Sequence, residues 1–301
     1  MFNFNELQGL SENKAEKTPP TKVVVELFRH SLKENDPNRP NSELLLTPEG
    51  RELARAHGEN LRPYPERAVA GASLMDRAAE TAMLTMLADE MEIETSDSLA
   101  GMEEKVANYL PVGKKLYRDE RLGFALDKGP AGEAGIRTFK EGKYIEWLIK
   151  NSDQDVVENK DKITTSYLRQ AGNIAELLER YQAVGNSFHR LVEDKDKLEQ
   201  HGAKLERYLV SHQGVAESFV AKVIELQEGV TARNQFTANL GNGWAETKGI
   251  HIEIINDENG QRSFISYQEA DGSEKELLVK PDTLAAIIKE REELEKACAQ
   301  Q

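Results

Sequence analysis

The chain has little cysteine, no long apolar run and a deficit of positive charge, and each shortage narrows what it can be. Cys298, close to the C-terminus, is the one cysteine in 301 residues, so no internal disulfide can form. That usage fits a reducing compartment, and the expected location is cytoplasmic. No stretch approaches the roughly 20 apolar residues that a membrane-spanning helix needs. Lys and Arg number 39 against 53 Asp and Glu, a formal net charge of -14. Such a balance argues against nucleic acid or an anionic membrane as the general partner, and confines any anion site to a local basic pocket. No internal repeat, low-complexity tract or zinc-ligand spacing appears, and neither metal nor cofactor is expected. Residues 1–20 are polar and end in Thr18-Pro19-Pro20. They read as a flexible leader rather than a signal peptide.

What is present supports a core. Hydrophobic residues make up 39% of the chain, and its length is compatible with one decorated α/β domain. We expect that domain to span 21–301, with a mostly helical insertion at about 92–204. Residues 23–28 read as a first, central strand. Thr47 caps a helix that opens on Pro48, buries Leu53, Ala54 and Leu61, and ends before Pro63. A second strand follows at 67–72, then a helix capped by Ser73 or Asp76 and running to about residue 91. Beyond it the patterning predicts a helix near 98–109 and an extended piece at 115–118. Three helices, at about 133–151, 161–182 and 185–200, should come next. A strand at 205–211 leads into a helix at 214–226. From residue 249 the period changes to two, and the Asp257-Glu258-Asn259-Gly260 turn makes a β-hairpin, with a third extended piece at 276–279 and a last helix after Pro281. The strand–helix alternation of the first 90 residues predicts a three-layer α/β/α fold with a mainly parallel central sheet.

Four residues stand where a crevice at the carboxyl ends of such strands would form. Arg29 and His30 end the first strand, Arg77 lies in the first turn of the helix after the second, and His212 ends the strand at 205–211. Two guanidinium forks beside a helix N-terminus suit a phosphoryl group. A neutral imidazole is a competent nucleophile at phosphorus, and flanking arginines favour the neutral form. Arginines and a second histidine around the equatorial oxygens would stabilise the spread charge of the transition state. The other histidines, His57, His189, His201 and His251, lack partners at ligand spacing and read as surface residues, and Gly241-Asn242-Gly243 reads as turn punctuation.

The motifs resemble those of the histidine phosphatase, or phosphoglycerate mutase-like, superfamily. Arg29-His30-Ser31 is similar to its Arg-His-Gly motif, and Leu46-Thr47-Pro48-Glu49-Gly50 to its Leu-Thr-x-x-Gly helix start. Ser73 through Ala82 is similar to its Ser-x-x-x-Arg-Ala-x-x-Thr-Ala stretch, and Ser211-His212-Gln213-Gly214-Val215 to its Ser-His-Gly-Gly-Val pattern. These cover residues 22–90 and 205–227 in the family's order. The resemblance implies a phosphatase acting on a small phosphorylated molecule, with His30 carrying the phosphoryl group and Arg29, Arg77 and His212 holding it. A phosphomutase and a catalytically inactive phospho-ligand-binding or scaffolding protein are the alternatives. Ser31 and Gln213 replace family glycines and are further candidates for phosphate contact, as is Arg39 in the loop after the first motif. For the proton donor the resemblance leaves Asp119, Glu120 and Glu104 in competition, with Glu217 a further candidate. Residues 92–204 are expected to roof the pocket and select the substrate.

Overall fold

A computed structural model describes residues 19–62, 68–87, 97–109, 116–126 and 128–300. The expected leader and the segment around residue 91 lie almost wholly outside them. Seven strands among the described residues form one sheet: β1 (Thr21–Arg29), β2 (Ala68–Ala72), β3 (Leu116–Arg118), β4 (Lys204–Ser211), β5 (Gly249–Asp257), β6 (Gly260–Gln268) and β7 (Glu274–Val279), in the order β3-β2-β4-β1-β5-β6-β7. The β3/β2, β2/β4 and β4/β1 pairs are parallel, while β5, β6 and β7 extend the sheet from β1 as an antiparallel meander. The hairpin expected from the period-two pattern is thus continuous with the central sheet.

Alternation along the central strands sends residues to two helical layers. Val23, Val25 and Leu27 of β1 and Leu209 of β4 face one core, while Phe28, Tyr208 and Val210 face the other. The second core is closed by α1 (Pro48–Leu61), α2 (Asp76–Met86) and α3 (Leu99–Tyr109). The first is closed by α5 (Tyr144–Lys150), α7 (Tyr167–Leu191), α9 (Val215–Glu228), α10 (Val230–Leu240) and α11 (Thr283–Ala299), with α4 (Pro130–Lys140), α6 (Ser152–Glu158) and α8 (Lys195–His201) completing the chain. No described helix is long and apolar enough to cross a membrane.

Several boundaries differ from expectation for local reasons. Leu53 is exposed because the helical period turns Arg51, Ala54 and Gly58 inward, and Arg51 there pairs with buried Glu80 at 2.5 Å. The helix expected at 133–151 is two, broken at Gly142 (φ 68). The helices expected at 161–182 and 185–200 are instead the 25-residue α7 and the short α8, parted at 192–194, and α7 is preceded by a loop in which the Asp161 carboxylate accepts from the amides of Ile163 and Thr164. Gly185, where the second of the two was expected to begin, lies inside α7 because the helix rides close to the sheet there: a Cβ would stand 2.7 Å from Asn256 and 3.3 Å from Val23. Helix α10 was not expected, since only Phe236, Thr237 and Leu240 of it turn inward. Three histidines are less superficial than expected, His189 among them with its Nδ1 3.1 Å from Thr21 Oγ1. The His57 ring stacks edge-on against Phe28 at 4.6 Å, and His251 Nδ1 meets Glu26 Oε1 at 2.6 Å.

Gly50 shows how tightly α1 is docked under the end of β1. A Cβ at Gly50 would stand 2.1 Å from the Leu32 carbonyl oxygen, a backbone atom that cannot step aside. Thr47 Oγ1 accepts from Gly50 N at 3.0 Å, and the Gly50 carbonyl accepts from the Ser31 hydroxyl at 2.7 Å. Gly50→Ala is therefore expected to destabilise the fold by about 1–3 kcal/mol, the ordinary range for overpacking, despite the better helix propensity of alanine. Denaturant unfolding checks this; an alanine variant as stable as the parent would contradict the docking.

Candidate phosphoryl-binding site

Strand pairing places the two motif histidines. β1 and β4 run parallel with Arg29 opposite Ser211, so His30 and His212 leave the sheet side by side, and the His30 amide donates to the Ser211 carbonyl at 2.9 Å. Their ring centroids are 5.1 Å apart, edge to face. β2 lies beyond β4 with Ala72 opposite Val210, which sets Ser73 beside His212, the Ser73 hydroxyl 2.7 Å from His212 Nε2. Ser73 was expected to cap α2; its hydroxyl also accepts from Met75 N at 3.3 Å, and Met75 takes the cap position without a side-chain bond.

The first turn of α2 then sends Arg77 across to the first motif. Its Nε donates to His30 Nε2 at 3.0 Å, and its Nη1 donates to the Asn41 carbonyl at 2.5 Å. The other imidazole nitrogen of His30, Nδ1, lies 2.7 Å from the Ser31 carbonyl and must be the protonated one, since a carbonyl only accepts. His30 therefore presents the lone pair of Nε2 to the cavity. Burial, then the charge of Arg77, lowers its pKa to about 3. His212 is driven well below the ordinary histidine value by burial first, and by His30, Arg77 and Arg29 after it. Both rings are neutral at physiological pH. Burial, then Arg29, brings Arg77 down to about 10, which leaves it cationic.

Arg29 is held by a loop that precedes β5. Its Nη1 donates to the Trp244 carbonyl at 3.2 Å and its Nη2 pairs with Glu246 at 2.7 Å, while its buried Nε has no partner. The backbone of that loop brackets Arg29 too, for Arg29 N donates to the Lys248 carbonyl and Thr247 N to the Arg29 carbonyl, each at 3.0 Å. Glu217 ties the loop to the turn after β4: its carboxylate accepts from Gly214 N at 2.9 Å and Trp244 N at 3.0 Å. Fully enclosed there, its carboxyl is pushed up by burial, against the pull of those amides.

These groups border a cavity of about 430 Å³ that takes in Arg29, His30, Arg77 and His212, with Lys33, Lys140 and Glu246 also on its wall. Four cations against one carboxylate make a basic pocket in an acidic chain. Gln213 borders it as well, its side-chain amide bound to the Asn242 carbonyl. The remaining candidates are placed elsewhere. Ser31 is buried with its hydroxyl on the Gly50 carbonyl and its amide on Thr81 Oγ1, so it anchors α1 rather than facing the cavity. Arg39 folds back over the 36–39 turn to Glu34 at 2.7 Å and to the Glu43 carbonyl. Asp119 caps a short 3-10 turn; burial pushes its carboxyl up, but the bonds from Arg121 outweigh this and hold it below the usual range, the opposite of what a proton donor needs. Glu120 borders a separate groove with Arg118, Lys162 and Arg291, and Glu104 is exposed on α3. Glu217 stands behind the His212 turn. Glu246 was missed because it lies in an irregular loop with no motif around it, and only the antiparallel return of β5 along β1 brings it to Arg29.

The chain matches no protein-family model, and no curated protein matches it. Solved structures of phosphatases and of a phosphoglycerate mutase are similar to it at low identity. A mycobacterial glucosyl-3-phosphoglycerate phosphatase is similar at 16% identity over 81% of this chain and 96% of its own, with a TM-score of 0.44. A phosphoserine phosphatase from Entamoeba histolytica, in complex with phosphoserine, is similar at 14% identity over 80% of this chain and 93% of its own, TM-score 0.40. A phosphoglycerate mutase from Bacillus anthracis is similar at 16% identity over 90% of this chain and 99% of its own, TM-score 0.38. Likeness at this level does not define chemistry, which rests on the residues of the cavity.

The buried histidines have a consequence for stability. His30 is lowered to about 3, His57 to about 4 by burial and then Lys248, and His212 well below its ordinary value. Between pH 6.5 and about 4 the unfolded chain takes up protons that the folded chain refuses, so stability is full above pH 6.5 and falls on acidification. Each such histidine adds up to about 1.4 kcal/mol per pH unit to that slope. Denaturant midpoints across pH 4.5–7 should fall with pH, and His57→Gln, away from the cavity, should flatten the dependence; an unchanged slope would contradict a neutral, buried His57.

Proposed function

We propose that this protein is a phosphomonoester hydrolase of the histidine phosphatase type, with His30 as the nucleophile. The observation that carries the reading is the bonding of His30: Nδ1 is anchored on the Ser31 carbonyl, and the lone pair of Nε2 points into a cavity lined by two arginines and a second histidine. Arg77 occupies that lone pair in the free protein and exchanges it for a phosphoryl oxygen when substrate binds. His30 Nε2 then attacks phosphorus, the N–P bond forms, and the ester P–O bond breaks with its electron pair leaving on the alcohol oxygen. Arg29, Arg77 and His212 surround the three equatorial oxygens, as a loose phosphoryl-transfer transition state requires. Water then attacks the phosphohistidine, giving a proton to the carboxylate that protonated the alcohol, and the N–P bond breaks with its electron pair returning to Nε2, releasing inorganic phosphate and restoring His30.

The departing oxygen needs a proton, and among the described residues Glu246 is the one carboxylic acid on the cavity wall. In the free protein it pairs with Arg29. A phosphoryl dianion competes for Arg29 and frees the Glu246 carboxyl to face the departing oxygen. Glu246 thus takes the donor role expected of Asp119, Glu120 or Glu104.

Incubation with a 32P-labelled phosphomonoester and rapid acid-free quenching should trap a phosphoenzyme that is acid-labile and base-stable, and His30→Ala should show none. Glu246→Gln should slow hydrolysis of alkyl phosphates about 10²-fold or more while changing p-nitrophenyl phosphate far less, because a good leaving group needs little protonation. Label retained by His30→Ala would overturn the nucleophile assignment. Equal loss on both substrates would overturn the donor assignment. Turnover of no phosphomonoester by a folded protein would leave the phospho-ligand-binding alternative.

A further inference from the structure

The cavity is larger than a phosphoryl group, and its outer wall differs in kind from its floor. Helix α4 brings Ile136 and Phe139 to that wall, and the segment before it brings Phe124 and Leu126. Ile136 and Phe139 remain 41% and 50% exposed, so the free protein holds large apolar side chains against water inside a concave site. The rings are continuous with the reaction centre. From His30 the centroids run 5.1 Å to His212, 6.0 Å on to Phe124, 5.8 Å to Tyr144 behind the wall, and 5.7 Å to Phe139. The neutral polar side chains on the wall are Asn41 and Gln213, and the Gln213 amide is already bound to the Asn242 carbonyl.

We infer that the outer cavity selects phosphomonoesters whose alcohol portion is apolar and flat, above all one bearing an aromatic ring, over sugar or polyol phosphates. This deepens the hydrolase reading and rests on it. An apolar body seated against Phe139, Ile136 and Leu126 removes both its own surface and theirs from water. An aromatic one adds edge-to-face contact with Phe124 and Phe139. A polyol seated against those apolar side chains would lose its water and gain no hydrogen bond from them, leaving Asn41, Lys33 and Lys140 as the donors on the wall, whereas an apolar group loses nothing there. The residues that set this preference, Ile136 and Phe139, lie on α4, whereas Arg29, His30, Arg77 and His212 come from the end of β1, from α2 and from the end of β4, so selection and chemistry are carried by separate elements.

Phosphonates, which bind without turnover, separate this claim from the hydrolase reading. Calorimetry would compare methylphosphonate, 2,3-dihydroxypropylphosphonate and 3-phenylpropylphosphonate on the intact chain. The phenylpropyl compound should bind about tenfold or more tighter than methylphosphonate, and the dihydroxypropyl compound no tighter than methylphosphonate. In Phe139→Ala the phenylpropyl advantage should shrink to about threefold or less, and Ile136→Ala should reduce it as well. Phe139→Leu, which keeps apolar bulk on α4, should retain part of it. If methylphosphonate binds and the phenylpropyl group adds nothing, or if the advantage survives both alanine substitutions, the inference fails while the phosphoryl site stands. If the dihydroxypropyl compound binds tightest, the preference is the reverse of that inferred. If none of the three binds to folded protein, the phosphoryl site itself fails and the inference falls with it.

Discussion

The parallel pairing of β1 with β4 is the constraint on which the site depends. Register sets Arg29 against Ser211, and a parallel pair delivers both chains to the same edge of the sheet. His30 and His212 therefore emerge together although 182 positions separate them in the chain. β2, on the far side of β4, ends at the same level and turns into α2, which carries Arg77 over to His30. A slip of one residue between β1 and β4 would turn Val23, Val25 and Leu27 out of their core and reverse the facing of everything beyond. The buried alternation of both strands holds that register, so the same side chains that build the two cores fix the cavity's geometry.

Around this frame the electrostatics are set by burial. Two neutral histidines, two arginines and two lysines meet at one cavity in a chain that is acidic overall. Burial keeps the imidazoles neutral and leaves Arg77 cationic, which is the combination a nitrogen nucleophile at phosphorus requires. The cost of enclosing Arg29 is limited by the loop before β5, which supplies the Trp244 carbonyl and the Glu246 carboxylate. Glu217, buried behind, joins that loop to the turn after β4 through two backbone amides. Trp244 and Glu217 thus support the cavity from behind, while Glu246 supports Arg29 from the cavity wall itself.

Much of this was legible in the sequence where short-range signals decide. The apolar run of β1, the Thr47-Pro48 helix start and the period-two pattern of β5 and β6 each state their own structure. The four strand-end and helix-start residues were legible because topology brings strand ends together wherever a sheet is parallel. What was not legible depended on long-range packing. Residues 183–185, where two helices were expected to part, lie inside α7, which closes on β1 at Gly185. Arg39 is near the first motif in the chain, yet the 36–39 turn points it back to Glu34. Asp119 and Glu120 look like a strand-end acidic motif, but the Arg121 side chain takes the former and a separate groove the latter. Glu246 carries no local signal at all, since only the antiparallel return of β5 places it beside Arg29.

The central claim is that His30 stands neutral in the cavity with its proton on Nδ1 and its lone pair on Nε2, where Arg77 donates until substrate takes its place. Nitrogen-15 NMR of histidine-labelled protein reads this directly, with the His30 signals assigned by comparison with His30→Gln. The account predicts that both His30 nitrogens keep neutral-imidazole shifts from pH 8 down to pH 5, with the protonated-type signal at Nδ1 and the lone-pair-type signal at Nε2. A His30 that titrates near pH 6.5, or that carries its proton on Nε2, would contradict it.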